Sequence, residues 1–221
     1  MTARLTLTAV AVAAMAIITI SDAKAIPVGT FYNTGVDDTQ TTLANLAPET
    51  HYTLVSTPDG STPGVRVATS ANGFPIPPWL YDNSLSAWIG PNTNSSLDGA
   101  AGLYDYWTTF DLTGFDASTA ALSGQWAADN AGIDILINGV STSQTVGGFD
   151  AFSRLSISTG FVNGLNKIDF IVRNDGGPTG LRVEGLLTAD AVVSDVPEPM
   201  SLAILGVGLA GAGLVRRFNR I

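Results

Sequence analysis

A single histidine limits the chemistry that this 221-residue chain can perform with an imidazole. His51 lies between Thr50 and Tyr52, and the sequence contains no G-x-S-x-G nucleophile elbow, so a Ser-His-Asp triad lacks a recognisable nucleophile. We interpret His51 as an exposed residue where a loop enters a strand. A zinc site fails for want of a second imidazole, and the absence of cysteine excludes disulfides and zinc–thiolate sites.

Aspartates supply most of the other reactive groups. A glycoside hydrolase needs two carboxyl groups placed across a sugar ring, one of them acting as a general acid. The candidates are Asp105, Asp111, Asp116, Asp129, Asp134 and Asp175. Aspartates are also ordinary turn residues, because their side chains accept hydrogen bonds from nearby backbone N–H groups. A polysaccharide hydrolase using such loop carboxylates is therefore the second alternative for function.

Oxygen-rich turns at two predicted strand ends favour calcium among the metals. Calcium binds carboxylate, amide and carbonyl oxygens, and the predicted ligands are Asp129, Asn130 and Asp175. The competing interpretation is that these side chains only stabilise their own turns. No other cofactor is indicated.

Aromatic side chains beside polar clusters could form a sugar-binding site. The candidates are Trp79, Trp88, Trp107 and Tyr81, with Arg173, Asn174 and Asp175 as polar partners. Trp79 follows a proline-rich stretch, so we expect it to be the most exposed tryptophan, whereas Trp126 is predicted to lie in the core. The alternative is that the aromatic residues pack within the fold, since each ring buries a large apolar area.

Alternating hydrophobicity predicts the strands that would position these residues. In Leu103–Leu112 every second residue from Tyr104 is apolar or Thr, which is typical of a half-buried strand. Asn138-Gly139 is a strong hairpin signal. The other predicted strands cover Tyr52–Ser56, Val65–Thr69, Ala87–Ile89, Ala120–Ala128, Ile133–Ile137, Leu155–Ser158, Ile168–Arg173 and Leu181–Ala189. This pattern predicts an all-β sandwich, with a jelly roll as first choice and an immunoglobulin-like sandwich as second.

Both ends of the chain differ from this middle part. Residues 1–25 have the basic, apolar and small-residue regions of a signal peptide, with Ala23 and Ala25 forming an A-x-A cleavage site before Ile26. Residues 196–221 contain two prolines that exclude a helix, an uncharged apolar run at Met200–Val215, and a basic end. The run is marginal as a lasting membrane anchor, which usually needs roughly 20 apolar residues.

The exported part, residues 26–195, is strongly acidic. It keeps 5 basic and 17 acidic residues, a formal net charge of −12. Nucleic acid is excluded as a partner, because binding phosphates requires a basic surface. The charge favours solubility and contact with neutral ligands or divalent cations.

The C-terminal tail resembles the PEP-CTERM sorting signal of Gram-negative surface proteins. The matching residues are Pro197, Glu198, Pro199, Arg216, Arg217 and Arg220, which flank the apolar run predicted to be a transmembrane sorting helix. The resemblance implies export by the Sec machinery, an inner-membrane intermediate, and processing by an exosortase before the protein reaches the cell surface or the extracellular space.

A second resemblance covers roughly residues 79–189. The pieces Trp88–Pro91, Tyr104–Leu112, Trp126–Asn130 and Gly180–Glu184 are similar to the β-sandwich domain of many PEP-CTERM proteins, which is itself similar to galactose-binding-like jelly rolls. It implies a ligand-binding or structural module and transfers no catalytic residue. We therefore expect a non-enzymatic surface or extracellular-matrix protein associated with exopolysaccharide in a biofilm; a dedicated carbohydrate-binding module is the first alternative.

Overall fold

A computed structural model describes residues 24–61, 63–69, 77–92 and 98–192, and these residues form eleven strands and no helix. The strands are β1 (Ala25–Pro27), β2 (Thr53–Ser56), β3 (Arg66–Ala68), β4 (Trp88–Gly90), β5 (Gly102–Asp111), β6 (Phe115–Asp129), β7 (Ala131–Ile137), β8 (Val140–Ser141), β9 (Ser153–Ile157), β10 (Leu165–Asn174) and β11 (Gly180–Ala191).

Two antiparallel sheets make up the fold. The six-stranded sheet has the order β3-β4-β11-β6-β9, with β1 also pairing with β11, and the five-stranded sheet has the order β2-β5-β10-β7-β8. From β4 to β7, and again from β9 to β11, consecutive strands alternate between the two sheets, as in a jelly roll. The prediction of an all-β sandwich is confirmed.

The core between the sheets follows the alternation seen in the sequence. The alternate residues predicted to face the core along β5 and just after it are all buried, and none is more than 4% exposed: Tyr104, Tyr106, Thr108, Phe110 and Leu112. Trp126 of β6 is fully buried and its ring centroid lies 5.8 Å from that of Phe170 in the opposite sheet. The core assignment of Trp126 is confirmed.

The predicted hairpin joins β7 to β8. Asn138 and Gly139 have φ values of 51° and 82°, and a type I′ turn requires positive φ at both central residues. The Asn138 side chain donates a hydrogen bond to the Gly160 carbonyl and accepts one from the Lys167 N–H, each at 2.9 Å. The turn is thereby fixed to the neighbouring strand β10.

The first strand lies at the start of the entry segment. The sequence predicts an entry loop or edge strand over residues 26–47, with a short apolar piece at Val28–Tyr32; in the structure β1 covers Ala25–Pro27 and pairs with the end of β11. Val28 donates a backbone hydrogen bond to Leu187 at 2.8 Å, and Val28 and Phe31 are then buried in the core, each 4% exposed. The apolar residues of this stretch therefore fill the sandwich instead of extending its edge.

The register defines two opposite ends of the sandwich. Gly180 pairs with Asp129 at one end, where β10 also finishes at Asn174; we call this the loop end. Ala191 pairs with Phe115 at the other end, which we call the tail end because the chain continues from it toward residue 196. Ala25 of β1 pairs with Asp190, so β1 also begins at the tail end.

Candidate functional site

The predicted ligand residues meet at the loop end. The Asn130 side-chain oxygen accepts a hydrogen bond from the Asp175 N–H at 2.6 Å, and the Asn130 N–H donates to the Arg173 carbonyl at 2.8 Å. These contacts join the β6–β7 connection to the β10–β11 loop. The sequence predicts that oxygens from these two loops converge on one calcium ion, and the structure places Asn130 and Asp175 in contact.

Arg173 and Asp175 form the exposed part of this group. The guanidinium lies 3.0 Å (Nε–Oδ1) and 3.2 Å (Nη2–Oδ2) from the Asp175 carboxylate, a bidentate arrangement. Their side chains are 50% and 59% exposed, so solvent weakens the pair and a ligand could compete for either partner.

Asn174 acts as an internal brace. It is 1% exposed, and its amide N–H groups lie 3.1–3.3 Å from the carbonyl oxygens of Gly99, Ala100 and Gly177. Its side-chain oxygen accepts a hydrogen bond from the Gly176 N–H at 3.1 Å. Because its polar atoms are engaged by the backbone of two loops, Asn174 shapes this end of the molecule rather than facing outward.

Trp79 does not have the exposure expected from the sequence. It is 7% exposed, and its ring centroid lies 4.5 Å from that of the fully buried Trp88 and 5.9 Å from that of Phe149. The expectation of an exposed Trp79 is wrong, because the outer face of the six-stranded sheet carries its own small hydrophobic cluster. Ala68, Trp88 and Ala127 form the floor of this cluster, and Trp79 covers it.

Asp129 is a buried acid beside this cluster. It is 4% exposed, and burial raises its pKa to about 7; the Asp175 charge acts in the same direction, while a hydrogen bond from the Trp79 side chain opposes it. Asp129 Oδ1 has no hydrogen-bond partner. A neutral Asp129 at moderately acid pH is the form that this environment favours.

The calcium prediction concerns the same residues. The Asn130 oxygen is engaged by a backbone N–H and both Asp175 oxygens by Arg173, which leaves Asp129 Oδ1 as the one free carboxylate oxygen among the three predicted ligands. Across residues 24–61, 63–69, 77–92 and 98–192, no group of three or more acidic, histidine or cysteine side chains could hold a metal. Calcium binding stays a prediction, and it would require Asp175 to leave Arg173.

A small polar cavity of about 130 Å³ also opens at the loop end, and no sequence pattern predicts it. Its walls include Thr57, Asp59, Ser61, Asp98 and Tyr104. Hydrogen bonds from Ser61 and Thr57 lower the pKa of Asp59 to about 2, so this carboxylate is charged at physiological pH. These bonds close a local turn, which makes the carboxylate part of the loop structure.

The six aspartates considered for hydrolysis are dispersed. Asp111 and Asp116 lie at the tail end, where hydrogen bonds from Thr113 and Ser118 lower their pKa values. Asp134 accepts backbone hydrogen bonds within its own sheet region, and Asp129 and Asp175 belong to the loop end. Asp105 lies on the outer face of the five-stranded sheet, where burial, and then the Asp169 charge, raises its pKa to about 6.

A buried ion pair on the outer face of the six-stranded sheet was not anticipated. Arg182 is fully buried; its Nη2 lies 3.2 Å from Glu184 Oε1 and its guanidinium lies 5.0 Å from the ring centroid of Phe152. Arg182 also donates to Ser86 Oγ at 2.8 Å and to the Tyr81 carbonyl. This network holds the segment before β4 against β11. The sequence signal was two opposite charges, two residues apart, in the largely apolar first half of β11.

Glu184 is correspondingly well satisfied. Burial alone would raise its pKa, but hydrogen bonds from Gln125, Asn83 and Ser86, at 2.7–2.8 Å, together with Arg182, hold it below its ordinary value. The carboxylate is therefore charged and bonded on all sides, which suits a structural role.

The signal-cleavage residue Ala23 and the sorting residues from Pro197 to Arg220 lie outside the described residues, as do the predicted signal peptide before residue 24 and the predicted sorting helix. Among the residues that the structure does describe, no helix has the length and hydropathy needed to cross a membrane.

Sequence comparison identifies the tail. Residues 195–217 match the PEP-CTERM protein-sorting motif, so the chain is a β-sandwich protein carrying this sorting motif. No curated protein matches the sequence.

Solved structures show distant similarity. A CBM35 from Paenibacillus barcinonensis has 13% identity and a TM-score of 0.35, over 64% of this chain and 94% of that one. A family 35 carbohydrate binding module from Clostridium thermocellum has 15% identity and a TM-score of 0.29, over 48% and 79%. A Podospora anserina GH26-CBM35 β-(1,4)-mannanase has 14% identity and a TM-score of 0.31, over 66% and 29%. Similarities at this distance do not assign a ligand to this chain.

Proposed function

We propose that this chain is an exported surface or extracellular-matrix protein that an exosortase-type system sorts through its C-terminal tail. The observation that supports the proposal is the PEP-CTERM sorting motif at residues 195–217. It begins four residues after the last strand ends at Ala191, so the sandwich is joined almost directly to the tail. In this proposal the chain passes through an inner-membrane intermediate before it reaches the surface.

The orientation of the sandwich supports this arrangement. The chain leaves β11 at the tail end, whereas the loops with Asn130, Asn174 and Asp175 lie at the opposite end. While the tail holds the protein at the membrane, the loop end points away from it. Loops held by a rigid sheet are common sites of contact with other molecules.

We further propose that the sandwich is non-catalytic and contacts neutral exopolysaccharide. Four of the six aspartates, Asp111, Asp116, Asp134 and Asp175, are engaged by hydrogen bonds or by Arg173, which supports a non-catalytic module, since hydrolysis of a glycoside needs two acids facing one sugar. The net charge of −12 for residues 26–195 favours a neutral polymer over an anionic one. A dedicated carbohydrate-binding module is the alternative, and it would require a defined sugar site.

The mature C-terminus provides the test. Intact-mass measurement of the protein from its own cells should show loss of the tail, with a new end near Pro197–Pro199. Replacing these three residues by alanine should retain Ile221 and leave the protein in the inner-membrane fraction. A wild-type protein that keeps Ile221 and stays in the cytosol would contradict the proposal. A wild-type protein that keeps Ile221 in the membrane would contradict processing only.

A further inference from the structure

A pocket of about 170 Å³ lies on the outer face of the five-stranded sheet, away from the loop end. It lies where β2 and its preceding residues run beside β5. Its walls are formed by Thr50, His51, Thr53, Trp107, Thr108 and Thr109. The volume is small compared with pockets for drug-sized ligands and suits a single ring-sized group.

Trp107 forms the aromatic wall. It lies in β5 between its cross-strand partners Thr53 and Asp169, and it is partly exposed, whereas the other three tryptophans of the chain are buried. The Lys167 ammonium lies 5.4 Å from the Trp107 ring centroid and 2.8 Å from the Asp169 carboxylate. This cation–π contact and ion pair brace the indole from the β10 side, and the pocket lies on the β2 side.

His51 forms a second rigid wall. Its side chain is only 12% exposed, so the expectation of an exposed histidine is wrong. The imidazole stacks on Tyr32 with ring centroids 3.7 Å apart and planes 3° from parallel. The backbone N–H of His51 donates a hydrogen bond to Glu49 Oε1 at 2.7 Å. These contacts fix the ring before any ligand arrives, which lowers the entropy cost of binding.

Two nitrogen atoms in these walls lack hydrogen-bond partners. His51 Nε2 and Trp107 Nε1 are both shielded from solvent and make no hydrogen bond; Asp38 Oδ1 lies 3.5 Å from His51 Nε2. Unpaired buried polar groups are costly, and they are rare enough in folded proteins to call for an explanation. The indole N–H can only donate, whereas the imidazole nitrogen donates or accepts according to its tautomer.

The residues that line the pocket indicate which class of ligand it could bind. Threonine hydroxyls at positions 50, 53 and 109 both donate and accept, and the lining contains no carboxylate, lysine or arginine. The lining residues themselves offer no carboxylate to a metal ion and no lysine or arginine to a phosphate. A hydroxyl-rich ring with an apolar face matches both the threonine hydroxyls and the indole. We propose that this pocket binds one neutral sugar unit, with Trp107 as the stacking platform and the exposed threonines as hydrogen-bonding partners.

This proposal assigns a binding site to the proposed contact with exopolysaccharide. It rests on the proposed function only in taking exopolysaccharide as the source of the sugar. The test uses the full chain purified in detergent and titrated with neutral mono- and oligosaccharides of glucose, galactose, mannose and xylose. Glucuronic acid and glucosamine serve as charged comparisons. Because Trp107 is the only partly exposed tryptophan, its fluorescence should change on binding, and calorimetry should give the affinity.

Variants separate the pocket from the rest of the surface. Trp107→Ala should weaken binding by at least about tenfold, because the stacking area is lost. Thr53→Val keeps the β-branched shape and should weaken binding about fivefold by removing one hydroxyl. Val140→Ala is the control, since Val140 is a 65% exposed apolar residue of the same sheet outside this pocket, and it should leave the affinity unchanged.

The outcomes distinguish the pocket from the broader function. Saturable binding of a neutral sugar that both pocket variants weaken and Val140→Ala preserves would support the site. Binding that Trp107→Ala and Thr53→Val leave unchanged, binding of charged sugars only, or no binding by any probe would overturn it. If Trp107→Ala fails to fold, Thr53→Val and Trp107→Phe decide. Retention of the Trp107 variant on the cells' own polysaccharide would reject the pocket and leave the proposed function standing.

Discussion

Ala25 and Asp190 are cross-strand partners, so the residue at the predicted signal-cleavage site lies beside the end of the last strand. The sorting motif begins five residues after Asp190, at residue 195. The predicted signal peptide and the predicted sorting tail, which the proposed export route would remove, are therefore both joined to the tail end of the sandwich. The loop end, where the predicted ligand residues lie, is the opposite end of the sandwich.

The buried acid Asp129 should make stability depend on pH. Its pKa is raised from 3.8 to about 7 in the folded protein, so the unfolded chain ionises first and stability falls as pH rises from about 4 to about 7. Asp129→Asn removes this charge and should raise the Tm at pH 8 by a few degrees, about 1 kcal/mol or more, with little gain at pH 4. Differential scanning calorimetry across this range provides the measurement.

Asp150→Asn is the control for that experiment, because Asp150 is exposed and its substitution should not change the pH dependence of the Tm. A lower Tm of Asp129→Asn at pH 8 would contradict the prediction and would indicate that the ionised carboxylate is needed in the folded state.

The Arg182–Glu184 pair should be essential for stability. Arg182→Ala leaves the 7% exposed Glu184 without its cation and also removes the bond to Ser86, and breaking a buried pair typically costs about 3–5 kcal/mol. Arg173→Ala breaks the exposed pair with Asp175 and should cost less than about 1 kcal/mol. Urea unfolding of both variants gives the comparison, and equal losses would refute the buried pair's role.

Gly132 should not tolerate a side chain. A Cβ at this position would lie 2.2 Å from the Trp126 ring and 2.6 Å from the Val146 side chain, so Gly132→Ala forces the core apart. Overpacking of this kind costs about 1–3 kcal/mol, a fall in Tm of several degrees for a domain of this size. Gly147→Ala is the matched control, since no atom lies within 4 Å of its Cβ position. An unchanged Tm for Gly132→Ala would contradict the packing of Trp126.

The calcium prediction can be tested by thermal melting. If calcium binds at the loop end, its addition at about 100 times Kd should stabilise the fold by about 2.7 kcal/mol, and a chelator should reverse the effect. Asp175→Asn should abolish the shift, and Arg173→Ala should enlarge it, because the carboxylate is then free for the ion. The absence of any shift in the wild type would dismiss the site.

The sequence predicted the strands well and the environment of single side chains less well. Strand β5 follows from local alternation, because Tyr104 and Phe110 must both face the core once the strand forms. The Asn138-Gly139 turn follows from local backbone preference. Both depend on residues close together in the chain.

The misplaced side chains depend on distant partners. Trp79 is buried because Ala68 and Ala127 leave room above the six-stranded sheet, and these residues lie far from it in the chain. His51 is shielded by Tyr32, and Trp107 is braced by Lys167 of a different strand. Periodicity indicates which face a residue occupies but not what covers that face.

The pairing of β11 has a consequence for the timing of export. This last strand lies between β6 on one side and β4 and β1 on the other, so the six-stranded sheet cannot close before residues 180–191 are available. Contacts so distant in sequence form late, because the intervening chain must first be brought together. In the proposed export route, a chain threaded through a translocon would complete its six-stranded sheet only after residues 180–191 have crossed. The sorting motif begins at residue 195, so this sheet would be completed shortly before the tail reaches a membrane enzyme.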